Sequence, residues 1–170
     1  IGDPIDWPVP LKGLLEDEYI ARRANAIQIS TPTLRPLPGN PKGSELLDLA
    51  SQPRTAGGGT THLVVVDVDG NIASYTSSVE TVFGSRYLSG GMVLNNQLTD
   101  FSFLSNVSGK PIANRIRANK RPMSSMSPVI VFRDDRPVLA VGSPGGWLIP
   151  HYITNALIRT LDLKLSPKEV

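Results

Sequence analysis

Thr60 stands directly after the run Gly57-Gly58-Gly59 and is followed by Thr61-His62. Glycines leave the backbone free to take geometries that a Cβ would forbid, and here a hydroxyl residue follows the last of them. A Thr hydroxyl so placed can attack the Gly59 carbonyl, move the acyl group from nitrogen to oxygen, and release Thr60 as a new N-terminus. Such a residue carries nucleophile and base together. Its α-amine, with a pKa of about 8, takes the proton of its own hydroxyl near neutral pH. Read without its surroundings, the same stretch is a flexible linker entering a strand.

Three other stretches carry groups suited to such chemistry. Gly142-Ser143-Pro144-Gly145-Gly146 lies between a strand-like and a helix-like segment. Adjacent glycines there let two backbone N–H groups converge on an oxyanion, although the stretch serves equally as a plain strand-to-helix turn. Ser124 and Ser125, in Arg121-Pro122-Met123-Ser124-Ser125-Met126-Ser127-Pro128, offer two hydroxyls to a carboxylate, or simply cap a turn. The amides of Asn95-Asn96-Gln97, with Asp100 close by, suit an ammonium group as well as they suit a solvated loop.

The elements that must position these groups follow from the residue pattern. Three prolines make the first ten residues read as extended, and Leu11, Leu14, Leu15, Tyr19, Ile20, Ala24 and Ile27 recur at the spacing of one amphipathic helix. Pro and Gly then dominate from Ser30 to Gly59, a linker or surface loop with a possible helical turn at Ser44–Ala50. His62–Val68 and Asn71–Ser78 read as strands around an Asp69-Gly70 turn; Met92–Asn95, Pro128–Arg133 and Pro137–Gly142 are further strands, the last two joined at Asp134-Asp135. Leu148 to Leu161 returns to helical spacing. Antiparallel strands followed by helices predict an α+β layered fold.

Composition removes several functions. Among 170 residues, Lys and Arg exceed Asp and Glu by a net charge of only +2, which leaves no electrostatic footprint for nucleic acid. The absence of Cys excludes disulfide scaffolds and thiol nucleophiles, and two His leave little for a metal cluster. No apolar run approaches the ~20 residues of a membrane span, and no signal-peptide pattern is present. Arg115, Arg117, Lys120 and Arg121 form a basic cluster that reads most simply as a solvated loop. The start at Ile1, and a capping box at Ser166-Pro167-Lys168-Glu169 with one residue after it, read as cuts in a longer chain.

The four stretches occur in one order: Thr60-Thr61-His62, then Leu94-Asn95-Asn96-Gln97 with Asp100-Phe101, then Asn119-Lys120-Arg121-Pro122 with Ser124 to Pro128, then Gly142 to Gly146. That succession resembles the γ-glutamyltranspeptidase family, at the front of its small, catalytic subunit. By position, residues 1–59 resemble the end of the large subunit with its Pro/Gly-rich linker, and 60–170 resemble a truncated catalytic domain. The resemblance implies an N-terminal-nucleophile hydrolase, an αββα sandwich that is incomplete in this chain. It implies autocatalytic cleavage between Gly59 and Thr60, with Thr61 the neighbour in the processing motif, and Thr60 the nucleophile of γ-glutamyl transfer or hydrolysis. Ser78 takes the place of a hydroxyl, usually Thr, that hydrogen-bonds the nucleophile. Glu80, where Asn is common, joins Gln97 and Asp100 around the substrate α-ammonium. Ser124 and Ser125 bind its α-carboxylate, and the N–H groups of Gly145 and Gly146 the oxyanion.

The implied partners are a γ-glutamyl donor, a water or amine acceptor, the remainder of the large subunit with an Arg for the α-carboxylate, and possible association of chains. No metal or organic cofactor is implied, and the compartment is periplasmic or extracellular. Glu80 and the short stretch Ser85–Leu94 also admit a cephalosporin or glutaryl acylase of the same family, and the cut ends admit an unprocessed fragment without turnover.

Overall fold

The structure is a computed structural model that describes residues 2–28, 30–31, 37–44, 50 and 58–170. The helical turn predicted at Ser44–Ala50 lies almost wholly outside them, as does most of the Pro/Gly-rich stretch. The chain divides into two compact units. One combines Ile1–Gln52 with Phe101–Met123, and the other combines Pro53–Asp100 with Ser124–Val170. Both therefore draw on residues from either side of Gly59–Thr60. Helices and antiparallel strands occur together, as the α+β reading requires.

The first unit contains α1 (Leu11–Leu14) and α2 (Asp17–Asn25). One helix was expected here. The chain breaks at Leu15 and Glu16, the latter extended with ψ 130°. Gly13, whose missing Cβ admits the Lys42 backbone, weakens the helix just before the break, and α2 buries no side chain that could enforce continuity. Acidic Asp17 and Glu18 open α2, and Arg22 and Arg23 close it, each sign at the favourable end of the helix dipole.

The N-terminal segment, expected to be extended, is instead a turn. The N–H groups of Asp6 and Trp7 both donate to the Asp3 carbonyl. The turn buries the Asp3 side chain, whose carboxylate accepts the Ile5 N–H at 3.1 Å, the Arg121 N–H at 2.9 Å and the Arg121 guanidinium at 3.2 and 3.3 Å. Asp6 takes Lys120 at 3.0 Å and Arg117 at 2.6 Å, and the Lys120 side chain is 1% exposed. Arg115 lies 5.2 Å above the Trp7 ring. The basic cluster is thus the counter-charge of Asp3 and Asp6, because a buried ammonium or carboxylate is tolerable only when paired. Ile112, Ala113, Asn114 and Phe101 form the buried centre of this unit, with β5 and β6 (Asn106–Val107, Lys110–Pro111) at its edge.

The second unit is built from hairpins. β1 (Thr60–Val66) pairs with β2 (Ile72–Ser78), β3 (Leu88–Ser89) with β4 (Met92–Val93), and β7 (Val129–Arg133) with β8 (Arg136–Val141). Asp134 and Asp135 both adopt positive φ, as a two-residue primed turn demands, and a bulge at Val131/Phe132 accommodates Pro137. β2 contacts both β7 and β8. A 3-10 turn (Gly146–Leu148) leads into α3 (Ile149–Leu157), which buries Ile149 and Ile153 one turn apart and ends in a π-helical turn over Ile158–Asp162. The Glu169 carboxylate accepts the N–H and hydroxyl of Ser166, completing one half of the predicted capping box. Leu63, Val64, Val65 and Val66 stay 41–59% exposed along β1.

Arg121 beside Asp3 holds its carboxyl far below the usual carboxylate range. Its stabilisation is therefore complete above the ordinary Asp pKa of about 3.9 and fades as pH falls below that value. Asp3→Asn should lower the melting temperature at pH 7 by several degrees, with a smaller deficit at pH 3. An equal deficit at both pH values, or none, would show that the ionised carboxylate is not what holds this turn.

Candidate active site

The β1–β2 ladder is symmetric about residue 69, running from Val66↔Ile72 to Thr60↔Ser78. Asp67 sets that register. Its carboxylate accepts the N–H groups of Asp69 (3.0 Å) and Asn71 (2.8 Å) and the Asn71 amide (2.7 Å), while Gly70 supplies the positive φ. These bonds, the Asn71 side chain first, also lower the Asp67 pKa. Side chains two apart on a strand share a face, so Thr60 and His62 point the same way, opposite Ser78 and Thr76. Two polar rungs result. Thr60 Oγ1 lies 3.0 Å from Ser78 Oγ, and His62 Nδ1 lies 2.8 Å from Thr76 Oγ1. Thr61 pairs with Ser77, and its side chain belongs to the other face.

The residues ahead of Thr60 continue the ladder. Val79 donates its N–H to the Gly59 carbonyl at 3.0 Å, while Gly58 and Gly59 both donate to the Glu80 carbonyl. A Cβ on Gly59 would lie 2.7 Å from Thr81 O and 2.9 Å from Val79 Cγ2, so glycine is required there by close approach.

Beyond Ser78 the chain bends at Glu80, a non-glycine residue at φ 74°. The bend lets the Glu80 N–H donate to Ser78 Oγ at 2.9 Å and brings its carboxyl into hydrogen bonding with Asp100. Gln97, at the start of the 3-10 turn Gln97–Asp100, donates its side-chain amide to Asp100. Asn96 secures this turn by accepting the N–H and hydroxyl of Thr81, each at 3.1 Å. The Asp100 pKa is pushed up to about 7. Burial is the largest cause, the bond and charge of Glu80 add to it, and the Gln97 bond opposes it. Thr60, Ser78, Glu80, Asp100 and Gln97 are therefore one connected network.

The other expected residues stand apart from it. Ser124 Oγ accepts the Met126 N–H at 3.3 Å and the Ser125 carbonyl accepts the Ser127 hydroxyl at 3.0 Å, both local turn bonds. Gly145 and Gly146 have φ of 133° and 55°, so both need glycine for their backbone, and a Cβ on Gly145 would lie 2.7 Å from Tyr152. Gly142, at the start of that turn, packs directly on the His62 ring. Sequence reasoning used His62 and Gly142 only as parts of their stretches and passed over Thr76. A two-residue turn at Asp69-Gly70 would pair His62 with Ser77, so the pairing with Thr76 follows only from the observed register, and nothing in the order of residues pairs either with Gly142. Among the described residues no group of three or more His, Asp or Glu could hold a metal ion, and no helix is long and apolar enough to cross a membrane.

Comparison with known proteins places this geometry. A family profile described as Gamma-glutamyltranspeptidase matches residues 1–170. The glutathione hydrolase proenzyme of Bacillus subtilis (strain 168) is 39% identical over 174 residues, a match covering 98% of this chain and 29% of that protein. The Escherichia coli (strain K12) glutathione hydrolase proenzyme is 36% identical over 178 residues, covering 99% and 29%. A crystal structure of a Helicobacter pylori gamma-glutamyltranspeptidase mutant superposes with a TM-score of 0.54 at 38% identity, covering 62% of this chain and 61% of that one. The chain spans about three tenths of the length of the two proenzymes. With a mixed α and β fold shared with solved gamma-glutamyltranspeptidases and a profile match along its whole length, this chain belongs to the gamma-glutamyltranspeptidase family.

Proposed function

We propose that the protein to which this chain belongs transfers or hydrolyses γ-glutamyl groups through an ester on Thr60. The observation that carries the proposal is the network joining the Thr60 hydroxyl, through Ser78 and Glu80, to a half-buried carboxylate pair. Residues 1–59 correspond to the end of a large subunit and 60–170 to the front of the catalytic one. The exposed apolar residues of β1 fit a strand whose αββα sandwich is completed by the remainder of the protein. That remainder is also the source of an Arg for the substrate carboxylate, and export from the cytoplasm is the setting that the family implies.

Processing comes first. Thr60 Oγ attacks the Gly59 carbon and the C–N bond breaks, the hydroxyl proton passing to the departing nitrogen. Water then hydrolyses the resulting ester, leaving a Gly59 carboxylate and a free Thr60 amine. In turnover that amine takes the Oγ proton, Oγ attacks the γ-carbonyl, and the N–H groups of Gly145 and Gly146 hold the oxyanion. The proton moves to the leaving amine as its bond to the acyl carbon breaks, and water or an acceptor amine resolves the γ-glutamyl ester.

Glu80, Asp100 and Gln97 hold the α-ammonium, and Ser124 and Ser125 the α-carboxylate. A pair of carboxylates favours a γ-glutamyl donor over a glutaryl one, which lacks the ammonium charge. No residue of this set calls for a metal or organic cofactor.

Thr60→Ala should abolish both the break at Gly59–Thr60, read by intact mass, and the release of p-nitroaniline from a γ-glutamyl anilide. Turnover persisting in that variant would sink the assignment. The ammonium binds the ionised form of Asp100, so KM for the donor should rise as pH falls below about 7, by up to about tenfold per pH unit. Glu80→Gln removes the like charge, lowers the Asp100 pKa and moves that rise to more acid pH. A KM independent of pH between about 5 and 8 would contradict the ammonium site.

A further inference from the structure

We infer that His62 is a positioning residue for the turn carrying Gly145 and Gly146, a role that rests on their assignment as oxyanion donors. The His62 ring is fixed in orientation by its 2.8 Å bond from Nδ1 to Thr76 Oγ1. Its other nitrogen, Nε2, is buried and has no hydrogen-bond partner among the described residues. What the face of the ring meets is Gly142. A Cβ built on Gly142 would fall inside the van der Waals radii of Cε1, Nδ1 and Nε2 together. Gly142 is not among the residues of positive φ, so its backbone conformation does not call for glycine; the room taken by His62 does.

The contact is therefore a steric stop between two strands. β8 ends at Val141, and Gly142 is the next residue, resting on a ring that projects from β1 two residues after Thr60. Ser143 and Pro144 follow, and then Gly145 and Gly146. The Ser143 hydroxyl donates to the Pro144 carbonyl, and the Leu148 N–H to the Gly145 carbonyl, so the turn is braced within itself and moves with its base. One rigid ring thus sets the height of the turn relative to the strand bearing the nucleophile. Catalysis by preorganised donors is sensitive to displacements of about 1 Å, and the His62 ring is what resists one here.

The test is a double-mutant cycle in the full chain with His62→Ala, Gly142→Ala and both together. His62→Ala removes the stop, and Gly142→Ala drives a methyl group into it. Each should lower kcat for a γ-glutamyl anilide by about 10- to 100-fold with KM changed less than about threefold, because the ammonium site is untouched. With the ring absent the methyl has room, so the double variant should match His62→Ala rather than show the product of the two losses. Amide chemical shifts of Gly145 and Gly146 report the turn without any need for turnover. They should move in both single variants, and adding Gly142→Ala to His62→Ala should move them little further. Lowered thermal stability with kcat and both amide shifts unchanged would overturn the role, as would multiplicative losses. A wild-type protein in which Thr60 resists an acylating γ-glutamyl inhibitor would count against the proposed activity instead, and the amide shifts would still decide whether His62 sets the turn.

Discussion

The register of the β1–β2 hairpin is the constraint on which the site depends. Side chains alternate along a strand, so a slip of one residue would turn Thr60 and His62 to the opposite face and set neither against its present partner. Asp67 prevents the slip with three bonds across a five-residue turn, and Gly70 supplies the backbone that no β-branched residue would adopt. From that turn the ladder reaches Thr60↔Ser78 without a bulge. The next pairing places Val79 N–H on the Gly59 carbonyl, so one register governs both the hydroxyl and the peptide bond it faces.

Polar groups are distributed differently in the two units, and the difference follows from burial. In the first, Asp3 and Asp6 are matched with Arg121, Lys120 and Arg117, and each partner lowers the cost of burying the other. In the second, two carboxyls are hydrogen-bonded to each other, the Gln97 amide donates to Asp100, and burial together with Glu80 raises the Asp100 pKa. The carboxyl pair sits in a segment bent at Glu80, where φ is 74°.

Much of the site was legible in the sequence where its geometry is local. The Gln97–Asp100 spacing places both on one turn, whereas a two-residue turn at Asp69-Gly70 would set Thr60 opposite Val79, and the longer turn braced by Asp67 is what brings Ser78 to it. What escaped was set by contacts distant in sequence. Asp3 and Arg121 are 118 residues apart, so a basic run that neutralises buried carboxylates looked like a solvated loop. His62 and Gly142 meet only because β2 packs against β8. The break between α1 and α2 escaped for another reason: apolar spacing indicates which face a helix would bury, but nothing is buried on α2 to keep the helix whole.

Under the proposed activity, the carboxylate pair also explains how one pocket could separate donor from near-donor. Burial and Glu80 keep a proton on Asp100 up to about pH 7. An arriving α-ammonium displaces that proton and meets two ionised groups in place of one, and Gln97 remains as a donor to Asp100. A glutaryl group brings no charge with which to displace it, leaving the carboxyls to repel each other above that pH or to share the proton below it. Discrimination then rests less on shape than on which ligand brings a positive charge to the carboxyl pair.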